Sequence, residues 1–407
     1  MSSVDHSHLQ QKTIKTLAAA QIGAGIGTAG TVAAGSLLVA SITGSEELAG
    51  LAQTFSVLGA AALALPLARL TAHGGRRTAL SFGYAAGVLG SLFAITGGIN
   101  KNLILMLLGS FLVGSASASA YQARFAAIDL VAEENRAKQL SYVVWGSTVG
   151  AVTGPNLMQP AGNVAEYFGL PRLVGPYMIS ALTLTFAALL IFLFLKPDPY
   201  LTALGEGKSY AAGKKHTKEA LSHIWHKPIA LFAILSIAIG HIAMISVMVM
   251  TPVHMAHVDV SLKIIGLVIS VHVIGMYAFS PVVGSISDRI GRIKTIQAGL
   301  VILLASAVVS GTAHANDVPR LGVGLFLLGL GWSFTLIAGS ALLSSSVDAT
   351  LKSSAQGASD LVMNLAGAGG GAIAGVIIST YTYGWLCFFA AIPVLLLGIW
   401  SLKFKGI

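Results

Sequence analysis

The sequence predicts an all-α membrane protein with twelve transmembrane helices in two halves of six. Of its 407 residues, 55% are hydrophobic and only 10% are charged, and the mean hydropathy is +0.80. A water-soluble domain of that composition would have too little polar surface. Apolar stretches of about 20 residues, the length with which a helix crosses about 30 Å of hydrocarbon, recur from Thr16 almost to the C-terminus.

The predicted spans follow one another with connections of a few residues, except at one place. They cover residues 17–42, 50–70, 79–98, 103–125, 138–160, 173–195, 228–250, 262–287, 295–313, 320–345, 354–379 and 385–403. The exception is the segment 196–227, which contains "GEGKSYAAGKKHTKEA" and is polar and basic. It predicts a cytosolic linker between an N-terminal bundle, residues 1–195, and a C-terminal bundle, residues 228–407.

The positive charges predict the orientation of the chain in the bilayer. With both termini in the cytoplasm, the inner segments hold 20 of the 24 Lys and Arg residues, as expected for cytoplasmic loops. The sequence pI near 9.6 then reflects attraction to an anionic inner leaflet, so the lipid bilayer is the expected partner and nucleic acid is not. No signal-peptide cleavage pattern precedes the first span. The single cysteine, Cys387, excludes a disulfide framework.

Two loops at equivalent places in the halves resemble each other. Residues 284–295 are "GSISDRIGRIKT" and residues 68–79 are "ARLTAHGGRRTA". An acidic residue at a helix end beside arginines can bridge neighbouring helices and hold one gate state. In the first half, Ala72 stands at the position of Asp288. We therefore expect the first half to hold its gate state less firmly. The alternative for Arg76 and Arg77 is that they only satisfy the inside-positive bias.

The loop of the second half, residues 284–295, resembles the signature G-x-x-x-D-R-x-G-R-x-K of the major facilitator superfamily. The matching residues are Gly284, Asp288, Arg289, Gly291, Arg292 and Lys294. In the loop of the first half, residues 68–79, Gly75, Arg76 and Arg77 align with the signature. The resemblance implies the fold of that superfamily, with two six-helix bundles around a cavity that opens alternately to either side. It also implies a transporter, not an enzyme, without a prosthetic group.

Glycines recur every four residues in the fifth span, "GSTVGAVTGP". Gly146, Gly150 and Gly154 let helices approach closely, and Pro155 should bend the segment. The pattern resembles one often found in drug/proton antiporters, although it is also ordinary membrane packing. "GIGTAG" at residues 25–30 matches a dinucleotide fingerprint, but it lies inside a predicted span with no preceding strand, so close helix packing is the interpretation.

Methionines and histidines concentrate in spans 7 and 8. Met244 and Met248 are four residues apart, as are His272 and Met276, so each pair shares one helix face. With 1.5 Å of rise per residue, we expect these four residues, the Met/His ladder, at four depths about 6 Å apart. The residues flanking the ladder are also candidate ligands: His241 one turn inward, and His254, Met255 and His257 at the outer end.

Thioethers and imidazoles are soft, neutral donors that suit Cu(I), and weak, multiple sites favour release of the ion. M-x-x-x-M followed by H-x-x-x-M resembles the signature of the CcoA-type bacterial copper importers. The resemblance implies a monomeric transporter of the inner membrane that imports copper for cytochrome oxidase assembly. It also implies a cytosolic copper chaperone or oxidase assembly factor as the recipient. Copper would be the substrate, bound by Met244, Met248, His272 and Met276.

Three alternatives remain open at this point. The methionines can be flexible packing residues. A proton-coupled exporter of small organic molecules fits the glycine pattern, but no carboxylate lies near the middle of a predicted span, since Asp129, Asp288 and Asp360 lie near cytosolic ends. Riboflavin uptake is the third, because importers of that vitamin resemble the copper branch. It predicts aromatic stacking residues, for which Trp145, Tyr142 and Trp332 are the candidates.

Overall fold

The computed structural model describes residues 3–45, 48, 50–205, 219, 222–256 and 262–404, and these residues form helices and turns without a strand. In the first half the helices are α1 (Ser3–Thr43), α2 (Leu51–Ile99), α3 (Leu103–Ala126), α4 (Arg136–Asn156), α5 (Met158–Tyr167), α6 (Gly175–Phe194) and α7 (Pro199–Leu204). In the second half they are α8 (Pro228–Ala256), α9 (Leu262–Tyr277), α10 (Ser280–Ile290), α11 (Arg292–Gly311), α12 (Val318–Ser346), α13 (Lys352–Thr380) and α14 (Tyr383–Ser401).

Within the described residues, ten helical segments are long and apolar enough to cross a membrane. The difference from the twelve predicted spans has two causes. Helix α2 runs through the second and third predicted spans, which are separated only by a break at Gly75 (φ 80°, ψ 175°). The fifth span corresponds to α4 and α5, whose glycine, serine, threonine and asparagine content makes it less apolar. The all-helical membrane fold predicted from the sequence is confirmed.

The chain forms two compact units. The first comprises Met1–Val131, Gly146–Glu219 and Ala349–Leu361, and the second comprises Ala132–Trp145, Ala220–Asp348 and Val362–Ile407. Two helices are therefore shared between the units, because α4 and α13 each begin in one and end in the other. The predicted division at the linker remains a prediction, and residues 206–218 of that linker lie outside the described part of the chain.

The two resembling loops have the same backbone conformation. Gly75 has a φ of 80° and a ψ of 175°, and Gly291 has a φ of 95° and a ψ of 149°. This region is accessible to glycine and strained for other residues. Because residues 68 and 284 begin the two loops, these glycines stand at equivalent positions of an internal repeat.

The glycines of α4 pack against α1 in the first unit. A side chain at Gly150 would come within 2.5 Å of the Cα of Gly25, and one at Gly154 within 2.9 Å of the backbone nitrogen of Gly30. Gly146 lies against the carbonyl oxygen of Ala18. This is the close helix packing predicted for "GIGTAG". The side chain of Pro155 lies outside the described part of the chain.

Candidate functional site

The residues of the Met/His ladder lie on α8 and α9 of the second unit. Both helices pack extensively along α12, whereas they touch each other at only a few points. Helix α12 therefore determines how the two ladder pairs are placed. Its glycine-rich sequence "RLGVGLFLLGLGW" permits this, because a missing side chain lets a neighbouring backbone approach closely.

His272 is fully buried, and its ring orientation is fixed by α12. Its Nδ1 lies 2.8 Å from the carbonyl oxygen of Leu325. A carbonyl can only accept, so in the neutral ring Nδ1 carries the proton and Nε2 carries the lone pair. Nε2 is buried and has no hydrogen-bond partner. An imidazole held by a backbone carbonyl with its second nitrogen open is the arrangement that metal-binding histidines adopt.

In His241 the Nδ1 atom accepts a hydrogen bond, whereas in His272 it donates one. The indole Nε1–H of Trp332 donates to Nδ1 of His241 across 3.0 Å, so that lone pair is already used. The ring of Trp332 also meets the ring of Tyr277 edge-on, with centroids 5.7 Å apart. Trp332 thus connects α8, α9 and α12 in a closed cluster and is almost completely buried. The structure therefore gives Nδ1 of His241 a structural contact, and the ligand role of this histidine remains a prediction.

The register along α12 places the ladder pairs at shared levels. His272 bonds to Leu325, and a side chain at Gly329 would come within 3.0 Å of Cγ of Met276. His241 is level with Trp332. Since α8 runs antiparallel to α12, Met244 lies about 4.5 Å further along, level with Gly329, and Met248 about 10.5 Å along, level with Leu325.

The expected four depths are therefore replaced by two. One level holds Met248 and His272, and the other holds Met244 and Met276. The prediction placed the outer end of span 7 near Met250, but α8 continues to Ala256. Met244 and Met248 therefore lie deeper, relative to the pair on α9, than the prediction placed them. Met244 and Met276 are buried, and Met248 is partly exposed.

Of the outer candidate ligands, the structure describes His254 and Met255, and both contact neighbouring side chains of the second unit. Met255 is fully buried. The ring of His254 stacks on that of Tyr383 of α14, with centroids 4.4 Å apart, and Thr251 bonds to the same tyrosine at 2.8 Å. His254 therefore faces α14, because the tyrosine holds it there. His257 lies outside the described residues.

The predicted gating loop of the second half holds the start of α4. The carboxylate of Asp288 accepts from the backbone N–H groups of Ala137 and Lys138, at 3.1 and 2.8 Å. Negative charge is stabilising at a helix N-terminus. Arg292 donates to Glu133 at 2.6 Å. A side chain at Gly284 would collide with α4, whereas Arg289 and Lys294 are exposed.

The first loop holds the start of α13 by different groups. No carboxylate stands at Ala72, and Ser353 donates to the backbone oxygen of Ala68 at 2.5 Å. Arg76 is fully buried and donates to Gln356 at 2.7 Å. Arg77 donates to the carbonyl oxygen of Phe192 and lies over its ring. The gating roles of these residues remain predictions, but Arg76 is clearly more than a surface charge.

Sequence reasoning missed a buried network of charges in the first unit. Arg124 and Asp360 form an ion pair of 2.6 Å, with exposures of 2% and 0%. Arg76 binds both carboxylate oxygens of Asp129, at 2.8 and 3.2 Å. Asp360 lies eight residues inside α13, about 12 Å from its start, and is fully buried. An arginine in the apolar stretch "SAYQARFAAI" was the available signal.

Among the residues that the structure describes, no group of three or more His, Cys, Asp or Glu side chains is arranged to hold a metal. Cys387 is buried in α14. The ligand roles of the predicted methionines and histidines therefore remain predictions, and His272 is an imidazole among them whose Nε2 is buried without a hydrogen-bond partner.

Comparison with known proteins defines the class. The family model of the Major Facilitator Superfamily matches residues 17–262 and 242–405. The chain is 35% identical to an uncharacterized MFS-type transporter of Bacillus subtilis, YdeG, over 97% of this chain and 92% of the relative. The chain belongs to the Major Facilitator Superfamily and is a multi-pass membrane transporter of secondary type.

Two further similarities were found. The chain is 26% identical to the riboflavin transporter RfnT of Brucella anthropi, over 92% of each protein. A bacterial homologue of the iron transporter ferroportin, in an outward-facing state, superposes with a TM-score of 0.74 over 98% of this chain and all of that one, at 13% identity. The second similarity concerns the fold alone.

Proposed function

We propose that this transporter imports copper, as Cu(I), across the bacterial cytoplasmic membrane. The observation that carries the proposal is the state of His272. Its Nδ1–H is held by a backbone carbonyl of α12, and its Nε2 is buried without a partner. An unpaired nitrogen in a membrane interior is costly, and coordination of a metal ion would remove that cost.

The thioethers support the same substrate. Met248 stands at the level of His272, and Met244 at the level of Met276, so each level offers two soft, neutral donors. Such donors suit Cu(I), whereas Mg²⁺, Ca²⁺ and Mn²⁺ call for oxygen ligands. Two weak sites in succession favour capture followed by release. Delivery to a cytosolic copper chaperone or an oxidase assembly factor completes the proposal.

Uptake of radiolabelled copper under reducing conditions tests this function. Cells carrying the intact chain are compared with cells carrying His272→Ala or Met244→Ala, at equal amounts of protein in the membrane. Loss of one of few ligands should lower uptake at limiting copper at least about tenfold, the effect of losing ~1.4 kcal/mol of binding. Equal uptake by all three would refute the proposal.

Two matched substitutions show whether the effect is specific. His73→Ala removes an exposed histidine whose Nδ1 also contacts a backbone carbonyl, that of Arg69 at 2.8 Å. Met178→Ala removes a partly buried methionine of the first unit. Both variants should take up copper like the intact chain. A loss as large as that of His272→Ala would indicate a general packing effect.

Riboflavin uptake is the second candidate, favoured by the similarity to RfnT. Trp332, one of the predicted stacking residues, is buried against His241 and Tyr277, whereas Trp145 is 42% exposed. A vitamin transporter should therefore lose riboflavin uptake in Trp145→Ala and keep it in His272→Ala. Measuring both substrates in the same cells separates the two candidates.

A further inference from the structure

Two histidines near the start of the second unit lie outside the Met/His ladder. His223 and His226 belong to the segment "SHIWHK", in which residues 222–226 are helical. Residues three apart lie on neighbouring turns of one helix face, with their Cβ atoms about 5–6 Å apart. Bonds between a metal and an imidazole nitrogen are about 2.0–2.1 Å long, so two imidazoles at this spacing can bind the same ion.

Both histidines offer Nε2 as a ligand atom. Nδ1 of His226 lies 2.7 Å from the carbonyl oxygen of Ser222. A carbonyl can only accept, so in the neutral ring Nδ1 carries the proton and Nε2 the lone pair, as in His272. Nε2 of His223 is buried and has no hydrogen-bond partner among the residues that the structure describes. The ring of His223 is only partly buried, so rotation of its side chain can turn this nitrogen toward His226.

The pair stands at the end of α8 that is remote from the ladder, in the same unit. The N–H of Lys227 donates to the carbonyl oxygen of Ile224 at 3.3 Å and so closes a turn between the short helix and α8. Ile224 is buried, which holds the short helix in place. From Pro228, the first residue of α8, to Met244 the distance along the helix is about 24 Å. The charge bias of the sequence predicts that this end faces the cytosol.

Two neighbouring features place the pair at the edge of the membrane. Trp225, between the two histidines, is 73% exposed, and exposed tryptophan is typical of the membrane–water interface. Lys227, the next residue after the pair, lines a cavity of about 770 Å³ together with Ile229 of α8 and Leu342 of α12. The described lining of this cavity contains no histidine, methionine or cysteine. The two imidazoles therefore supply soft ligands beside a cavity whose described walls have none.

We propose that His223 and His226 form a second Cu(I) site, from which the ion leaves the protein on the cytosolic side. Metal binding at this pair stands by itself, whereas its role as an exit rests on the copper import proposed above. Imidazole suits copper, whereas Mg²⁺ and Ca²⁺ call for oxygen ligands. Two protein ligands leave further coordination positions open, so an acceptor can bind the ion before the histidines release it. A site with few ligands also binds weakly enough for release.

Binding of Cu(I) to the purified full chain, without a histidine tag and under anaerobic, reducing conditions, tests the site. Met244→Ala and His272→Ala disable the ladder in the parent chain, and a chromophoric Cu(I) chelator competes for the ion. His223→Ala or His226→Ala in that parent should lower the affinity at least about tenfold, because one of two ligands is lost. His226→Met keeps a soft donor and should restore most of the affinity, which a role in packing alone would not produce.

His73 provides the matched control. Its Nδ1 lies 2.8 Å from the carbonyl oxygen of Arg69, but no other histidine lies within four residues of it in the sequence. His73→Ala should therefore leave the Cu(I) affinity of the parent unchanged. Equal affinities of the parent, His223→Ala and His226→Ala would overturn the site.

Uptake of radiolabelled copper tests the exit role separately. With the ladder intact, His223→Ala and His226→Ala should lower the initial rate severalfold at equal amounts of protein, because the ion leaves more slowly without intermediate ligands. Uptake equal to that of the intact chain would overturn the exit role and leave copper import standing. If the intact chain takes up no copper, the exit role falls with import, and the binding measurement still decides the metal site.

Discussion

The indole nitrogen of Trp332 donates to Nδ1 of His241 across 3.0 Å, so one hydrogen bond ties α12 to α8 beside the two ladder levels. Trp332→Phe would keep the ring contact with Tyr277 and leave the histidine nitrogen without its donor. We expect the free energy of unfolding to fall by about 1–3 kcal/mol. Thermal unfolding in detergent measures this, with Trp385→Phe, half-exposed on α14, as the control. Equal midpoints for the two variants would contradict it.

Gly329 determines how closely α9 approaches α12. A side chain there would come within 2.4 Å of the carbonyl oxygen of His272. Gly329→Ala should therefore separate the helices and destabilise the protein by about 1–3 kcal/mol. Gly322 lies on the same helix, with nothing within 4 Å of an added side chain. Gly322→Ala should be neutral or stabilising by up to about 1 kcal/mol, and the same loss at both positions would refute the packing argument.

Asp288 caps the start of α4 through two backbone N–H groups. Asp288→Ala should cost about 0.5–2 kcal/mol of stability, the usual value of a helix cap. Asp348, an exposed aspartate near the end of α12, provides the control, and Asp348→Ala should change the unfolding midpoint little. The cap is not stabilising if both substitutions have the same effect.

The internal repeat predicts that an aspartate introduced into the loop of the first half would cap a helix, as Asp288 does in the second half. Ala72 stands where Asp288 stands in the second loop, and Ser353 at the start of α13 contacts Ala68 as Ala137 at the start of α4 contacts Gly284. Ala72→Asp should therefore place a carboxylate at the start of α13. Maleimide labelling of Ser353→Cys should fall severalfold, since a cap contributes ~1 kcal/mol. Higher labelling would mean that burial of the new charge outweighs the cap.

The hydrogen bond from Arg292 lowers the pKa of Glu133. A carboxyl whose pKa is depressed by folding stabilises the protein above its unfolded pKa, and this contribution disappears as pH falls through the folded pKa. Glu133→Gln should thus destabilise at neutral pH and become indistinguishable from the parent in strong acid. Because the side chain of Glu133 is 60% exposed, we expect less than about 1 kcal/mol. Glu134→Gln is the control in the same pH series of unfolding measurements.

Most of the fold was predictable because hydropathy and charge bias act on each helix separately. The break at Gly75 was visible as a loop, and the packing of Gly25 against Gly150 followed from small residues at helical spacing. The register of α8 on α12 was not predictable from the sequence, since it depends on the hydrogen bond between Trp332 and His241. The four ladder residues carry soft donor atoms, and their ligand role remains a prediction; their levels could be assigned only from their contacts with α12.

The buried charges were misjudged for a related reason. Asp360 lies near one end of its predicted span, and its distance from the aqueous phase depends on the partner that covers it. Arg124 supplies that cover from another helix. A sequence position gives depth along one helix only, so ion pairs between helices have to be found in three dimensions.

The two ladder levels are one helical turn, about 6 Å, apart. Two monovalent ions at that separation would repel each other by about 3 kcal/mol at an effective dielectric constant of 20. If copper is the substrate, double occupancy is thus disfavoured about 100-fold. An ion arriving at Met248 and His272 would then help to expel the one held by Met244 and Met276, and the throughput of the protein would grow with the concentration of metal outside.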